Sequence, residues 1–357
     1  MIDERAAAEA PASTAEALRI WLLDEGSPGH RAQSKGVVAA LARLGYAPSV
    51  ATVDIVERRP GVLRSPARFL VSHGPGRLAA WTGQAMSGFV APNEAPPSLI
   101  LSSGGKSAFA SVSLARETGA PNVFVGDPRP YPAHWFDAVL SPHPIAGAAN
   151  VSELAAPPTS LEPERCVEAA RARWPSGWPD ELGAVLIGGA SRSHRFVEAD
   201  FAALGAGLSA LARRTGRRWL IATSRRTGLA AEEVLRAHLD EGAVFEATYY
   251  ARTPAPVVAA YLGAAEVAFV TQDSLTMLSE AVASGRPVVA LAPANVRLPV
   301  ASVVTSTLAN LERLEGFARW PIRAMPDRVP PIGMAPNGAV AARLDEALAR
   351  CLPELGL

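Results

Sequence analysis

Residues 267–291 spell out one strand–loop–helix–turn–strand unit, and a segment of that kind belongs in an open parallel sheet. Val267-Ala268-Phe269-Val270 is a short apolar run, and Thr271-Gln272-Asp273-Ser274 is a polar loop. The next residues read as a helix closed by Gly285-Arg286-Pro287, after which Val288-Val289-Ala290-Leu291 is a second apolar run. Parallel strands need such a crossover, and its hand is right-handed. The loop and first helical turn offer unpaired backbone N–H groups beside the Thr271 and Ser274 hydroxyls, which suits an anionic diphosphate. Glu280 falls about two turns into the helix, within reach of a ribose diol, and Asp273 falls at its start.

The same alternation recurs in two blocks. In the first, residues 18–23 read as a strand, Gly26-Ser27-Pro28-Gly29-His30 as a turn, and 31–44 as a helix with Val37, Val38, Leu41 and Leu44 on one face. Strands at 49–56 and 98–101 follow, the latter running into Ser102-Ser103-Gly104-Gly105-Lys106-Ser107 and a helix to Thr118. Short strands are expected at 122–125 and 138–140. Residues 141–181 turn Pro-rich and interrupted, as an interdomain connection does. The second block has strands at 182–187, 218–222 and 243–246, with helices at 197–215, 230–239 and 254–263 and a final amphipathic helix within 335–352. The expected fold class is α/β, with two Rossmann-like parallel-sheet domains facing a cleft. The division reads as a flexible leader at 1–17, one domain at 18–160, a linker at 161–181, a second domain at 182–334 and a C-terminal helical segment at 335–357.

Composition narrows the functional classes. The 34 basic and 34 acidic residues cancel, against a protein that neutralises nucleic-acid phosphates over its whole surface. Cys166 and Cys351 stand alone, so neither a disulfide framework nor a zinc site is expected, and a reducing cytoplasm is the default. No run of about 18 apolar residues predicts a spanning helix. No Asp-x-Asp triplet occurs, so a metal-clamped diphosphate is not expected either. The only lysines, Lys35 and Lys106, both fall beside Gly-containing polar loops.

Several loops carry candidate chemistry, each with a plainer alternative. Gly29 lets backbone approach a ligand, and His30 at a helix start is suited to moving a proton; the alternative is a histidine that hydrogen-bonds locally. Gly104-Gly105-Lys106 resembles the tail of a phosphate loop, but Ile100 stands where that pattern requires glycine. It is either an anion nest with Lys106 as a point charge or a small-residue turn. Gly188, Gly189, Ser191 and Arg192 follow one strand, and Ser224, Arg225 and Arg226 follow the next. Arginine forks match phosphate oxygens, and two such clusters at adjacent strand ends favour a phosphate wall over solvated surface. Gly74-Pro75-Gly76 sits in an irregular region, the wrong context for a dinucleotide loop, which disfavours a hydride-using sugar epimerase. Residues 58–93 contain no acidic residue, and Arg58, Arg59, Arg64, Arg68 and Arg77 are mixed there with Phe69, Trp81 and Phe89. Either this segment meets anionic lipid headgroups or it is a helical pair packed on the first sheet.

Four stretches together resemble the mitochondrial-fission "elongated mitochondria" family, which has many bacterial members. They are Asp24-Glu25-Gly26-Ser27-Pro28-Gly29-His30, Leu186-Ile187-Gly188-Gly189, Thr223-Ser224-Arg225-Arg226-Thr227, and Val270 to Ser274 with Ser279-Glu280-Ala281 and Gly285-Arg286-Pro287-Val288. The resemblance implies a glycosyltransferase-B-like fold. More distantly, the chain is similar to the N-acetylglucosaminyltransferase that forms the lipid-linked peptidoglycan precursor. That likeness implies a nucleotide-diphosphate sugar as substrate, with no further cofactor, and a lipid-linked or membrane-surface acceptor. It places Glu280 on the donor ribose, Thr271, Asp273 and Ser274 near the diphosphate, and Gly188, Gly189 and Ser191 on the opposite phosphate wall. His30 becomes a candidate base or an acceptor-side group, with Gly29, Gly104, Gly105 and Lys106 on the acceptor side. Gln272-Asp273-Ser274 departs from the Gly-containing loop usual in that enzyme class. The expected location is cytoplasmic, peripheral on the inner face of the membrane. The alternative, implied by the plant namesake, is a non-catalytic adaptor that keeps the fold and binds a protein partner.

Overall fold

The computed structural model describes residues 17–57, 63–300, 302–336 and 338–357. The leader expected at 1–17 lies outside them save for Ala17, as do Arg58 and Arg59 of the basic segment.

Two six-stranded parallel sheets carry the chain. The first contains, in spatial order, Pro48–Asp54, Leu18–Asp24, Leu99–Ser103, Asn122–Val125, Ala138–Ser141 and Val151–Glu153. The second contains Val244–Thr248, Arg218–Thr223, Leu182–Ile187, Val267–Thr271, Val288–Ala292 and Phe317–Pro321. Counted along the chain within each sheet, the orders are 2-1-3-4-5-6 and 3-2-1-4-5-6. Both are doubly wound, with a topological switch point where the order reverses. In the first sheet that point lies between Leu18–Asp24 and Leu99–Ser103; in the second it lies between Leu182–Ile187 and Val267–Thr271.

The central strands are apolar along their whole length because helices cover both faces. Leu182–Ile187 and Val267–Thr271 are buried at every residue. On one face of the second sheet Phe201, Leu204 and Leu208 of the helix Glu198–Thr215 pack on Val185 and Ile187. On the other, Tyr261 and Leu262 meet Leu186 and Val270. The segment expected to be a linker contains the helix Pro163–Arg173, whose Cys166 and Ala170 join this second core. The last helix, Ala339–Cys351, crosses back instead: Leu344, Ala347 and Leu348 pack with Ile20, Val37 and Leu41 of the first domain.

The basic segment forms two helices, Arg64–His73 and Gly76–Met86, packed through Ala67, Val71 and Met86 on Phe109 and Val112. Gly74-Pro75 is the corner between them and follows no sheet strand. No helix among the described residues is long and apolar enough to cross a membrane. The whole is two Rossmann-like parallel-sheet units, and the loop after Leu18–Asp24 meets the helix start after Val267–Thr271 between them.

Candidate functional site

At the first switch point the strand Leu18–Asp24 ends in a carboxylate, Asp24, which accepts the Gly26 N–H (2.8 Å) and fixes the turn. Gly26 has φ +79°, a conformation that glycine adopts at no cost, and it carries the chain straight into the helix Pro28–Arg43. Pro28 suits the first helical position because its missing N–H would have no partner there. The turn folds Glu25 back over the helix start, so that its Oε1 lies 2.6 Å from His30 Nδ1. Across the switch point, the Lys106 N–H donates to Glu25 Oε2 (2.8 Å).

Burial works to raise the Glu25 pKa, but the hydrogen bond and charge of His30 and the Lys106 contacts outweigh it, and the carboxyl is held below its usual value. An ionised carboxylate can only accept, so His30 Nδ1 donates, and in the neutral imidazole Nε2 is left as the acceptor. Glu25 is 7% exposed and His30 39% exposed, so the fixed partner is buried while the imidazole meets solvent. Gly104, with φ +89°, packs against this pair: a Cβ there would lie 2.3 Å from His30 Nδ1 and 2.4 Å from Glu25.

His30 lines a cavity of ≈ 300 Å³ with Gln33, Gly104 and Gly105 on one side and Leu275 and Val303, from the second domain, on the other. A Cβ on Gly29 would stand 3.2 Å from Thr276 Oγ1, so the first domain's helix start meets the N-terminus of Leu275–Ala283.

At the second switch point three loops are tied together. The Thr271 hydroxyl accepts the Gly188 N–H (2.7 Å), and Thr227 Oγ1 donates to Ile187 O (3.0 Å) and Gly188 O (2.6 Å). The Ser224 N–H donates to Thr227 Oγ1 (3.0 Å). In their midst lies Asp273, its side chain 0% exposed; Oδ2 takes the Gly189 N–H at 3.1 Å and the Arg226 guanidinium at 2.7 Å. Burial raises the Asp273 pKa above its ordinary value, against the pull of Arg226, Thr271 and Gly189. Ser274 caps the helix by accepting the Met277 N–H.

Behind this wall is a group that the sequence reading did not single out. His194 is buried, with Nδ1 2.9 Å from Ser193 Oγ and Nε2 2.9 Å from Gln272 Nε2; Arg319 Nε donates to Gln272 Oε1 (3.1 Å). Burial first, then the charges of Arg319 and Arg226, push the His194 pKa down to about 4. It is a neutral, structural imidazole at pH 7, and Ser191 belongs to its surroundings (Oγ···Nδ1 3.4 Å).

Ser191 aside, the expected site residues fall into four groups. Gly29, His30, Gly104 and Gly105 gather at the interdomain cavity, while Gly188, Gly189, Ser224, Arg226, Thr271, Asp273 and Ser274 gather at the second switch point. Arg192, Arg225 and Lys106 are exposed, and Lys106 reaches the first cluster through its backbone N–H and its charge on Glu25. Glu280 stands apart: its carboxyl has no hydrogen-bond or ion-pair partner among the described residues, and burial pushes its pKa up to about 7. Glu25 was missed as a functional residue, although it lies five positions before His30 in the same loop. Among the described residues no three His, Cys, Asp or Glu side chains are grouped to hold a metal ion.

A family model described as "Mitochondrial fission ELM1" matches residues 28–347. No curated protein matches the chain. Among solved structures the chain is similar to MurG of Acinetobacter baumannii (13% identity, 95% of this chain and 98% of that one, TM-score 0.47). It is also similar to the E. coli ADP-heptose lps heptosyltransferase II (12%, 95% and 100%, TM-score 0.46) and to Anabaena Alr3699/HepE in complex with UDP-glucose (12%, 94% and 95%, TM-score 0.46).

Proposed function

For a chain that belongs to the mitochondrial fission ELM1 family, we propose sugar transfer from a nucleoside-diphosphate sugar to a hydroxyl of a membrane-associated or glycolipid acceptor. The observation that carries this reading is the Glu25–His30 pair at one wall of a cavity whose other wall is the start of Leu275–Ala283. A base and an anion-binding helix start are the two groups that such a transfer needs, on opposite sides of the reacting carbon.

In this reading His30 Nε2 takes the acceptor hydroxyl proton as the oxygen forms its bond to the anomeric carbon. The bond from that carbon to the diphosphate oxygen breaks, and the electron pair leaves with the nucleoside diphosphate. Glu25 keeps the imidazole in the tautomer that can accept and balances the imidazolium that forms. The Ser274–Leu275–Thr276 backbone and Arg226 stabilise the leaving charge, and the unpartnered Glu280 carboxylate accepts from the ribose.

Thermal-shift screening against UDP, GDP, CMP and NAD tests this. Stabilisation of several degrees by one nucleoside diphosphate, reduced in Glu280→Ala, is the expected result. One observation favours a second reading, a non-catalytic adaptor: the Asp273 carboxylate already fills the hydrogen-bonding positions at the Gly188-Gly189 wall. Silence from all four nucleotides supports that adaptor.

A further inference from the structure

Asp273 is not beside the anion-binding groups of the second switch point; it is bound by them. The Gly189 N–H and the Arg226 guanidinium both bond its Oδ2, and the Thr271 hydroxyl beside them also favours the ionised carboxylate. The two glycines are what allow it in: a Cβ on Gly188 would lie 2.2 Å from Asp273 Oδ2, and one on Gly189 would lie 2.1 Å from Arg226 O. A backbone N–H, a hydroxyl and an arginine converging between strand ends form the equipment for a phosphoryl oxygen. Here a carboxylate of the chain itself takes that place. Its fit is incomplete, because the buried Oδ1 has no hydrogen-bond partner. A buried acceptor left unpaired is a cost that native structures seldom carry without a purpose.

We propose that Asp273 is a specificity-determining anion gate: its carboxylate occupies the phosphoryl seat in the free protein and must leave it for a diphosphate to enter. The ligand class rests on the reading of the site as a nucleoside-diphosphate pocket. The gate sets a threshold: a ligand enters when the rest of its contacts outweigh the internal Asp273–Arg226 pair, so a lone phosphate is excluded where a nucleoside diphosphate is not.

Calorimetric titration with inorganic pyrophosphate and, separately, with UDP tests the gate in the native chain, Asp273→Asn, Arg226→Ala and the double variant. Pyrophosphate avoids any contribution from the ribose and from Glu280. Asp273→Asn keeps the shape and removes the charge, and its pyrophosphate affinity is expected to rise at least tenfold over the native chain. That gain should vanish in the Arg226→Ala/Asp273→Asn double variant, because the freed guanidinium is its source. Unchanged or weaker pyrophosphate binding by Asp273→Asn, with its melting transition intact, overturns the gate, as does a gain that survives loss of Arg226. Should Asp273→Asn not fold, Asp273→Ala is read in its place against the same two outcomes. If UDP binds native chain and Asp273→Asn alike, and pyrophosphate does too, the gate fails while the nucleotide reading stands. If Asp273→Asn gains pyrophosphate but no form binds UDP, the gate stands and the nucleotide reading fails.

Discussion

Two carboxylates in this chain are tuned in opposite directions. Glu25 is held ionised by His30 and Lys106 despite its burial, and its use is to aim the imidazole. Replacing it by Gln leaves the shape but lets the His30 ring take either tautomer. Turnover in Glu25→Gln is expected to fall roughly 100-fold or more, with nucleotide affinity within about twofold of native, because a general base contributes about that much. A kcat equal to native would remove Glu25 from the mechanism. Glu280 is raised from 4.5 to about 7 by burial alone. Between those values the native state holds a proton that the unfolded chain has released. The stability associated with this carboxyl is therefore fully present below the unfolded pKa and is lost as pH rises toward 7. Glu280→Gln should be more stable than native at pH 8, by about 3 kcal/mol at most, with the difference fading toward pH 4.5. Urea midpoints at the two pH values measure this, and a difference independent of pH would contradict it. Glu280 was legible as a residue but not as an isolated one, since no spacing rule reports what surrounds a side chain. The role of Glu25 escaped because it depends on the Gly26 turn folding the chain back, a matter of backbone geometry rather than pattern.

At the scale of elements, most strands and helices could be read because central parallel strands are continuous apolar runs and their helices have a clear apolar face. The exceptions have local causes. Phe317–Pro321 was missed because an edge strand tolerates Arg319 and a terminal proline, which break the apolar run. Pro163–Arg173 reads as part of a linker because the stretch around it is Pro-rich and interrupted, yet at the first helical position proline starts a helix. That helix lies directly on Val258–Ala264: a Cβ on Gly263 would lie 1.9 Å from Cys166 O. Gly263→Ala must push the two helices apart, and a loss of about 1–3 kcal/mol is expected. An unchanged unfolding midpoint would mean that the pair yields freely. The candidate-site loops sit where strand order reverses, which is legible only as the rule that ligands bind at strand carboxyl ends. Which pair of strands flanks each switch point required the structure.

Across the whole molecule, the two domains are joined by specific contacts. His143 Nδ1 lies 2.7 Å from Ser306 Oγ, and Asn310 Nδ2 donates to Pro142 O and Leu154 O (3.4 and 3.3 Å). Arg43 of the first helix pairs with Asp345 of the last (2.7 Å) and with Glu162 (2.8 Å). These contacts bring the first domain's helix start against Leu275–Ala283, and the account depends on that meeting. Gly29 is its narrowest point, with Thr276 Oγ1 only 3.2 Å from the position of a Cβ. Gly29→Leu therefore places a side chain from the first domain over the helix start of the second that is proposed to bind the diphosphate. Titrating the nucleoside diphosphate that stabilises the native chain into Gly29→Leu tests the convergence most directly. At least a tenfold loss of affinity is expected, with the melting transition preserved. An unchanged dissociation constant would mean that the nucleotide sits away from the junction and that the two domains do not share a site.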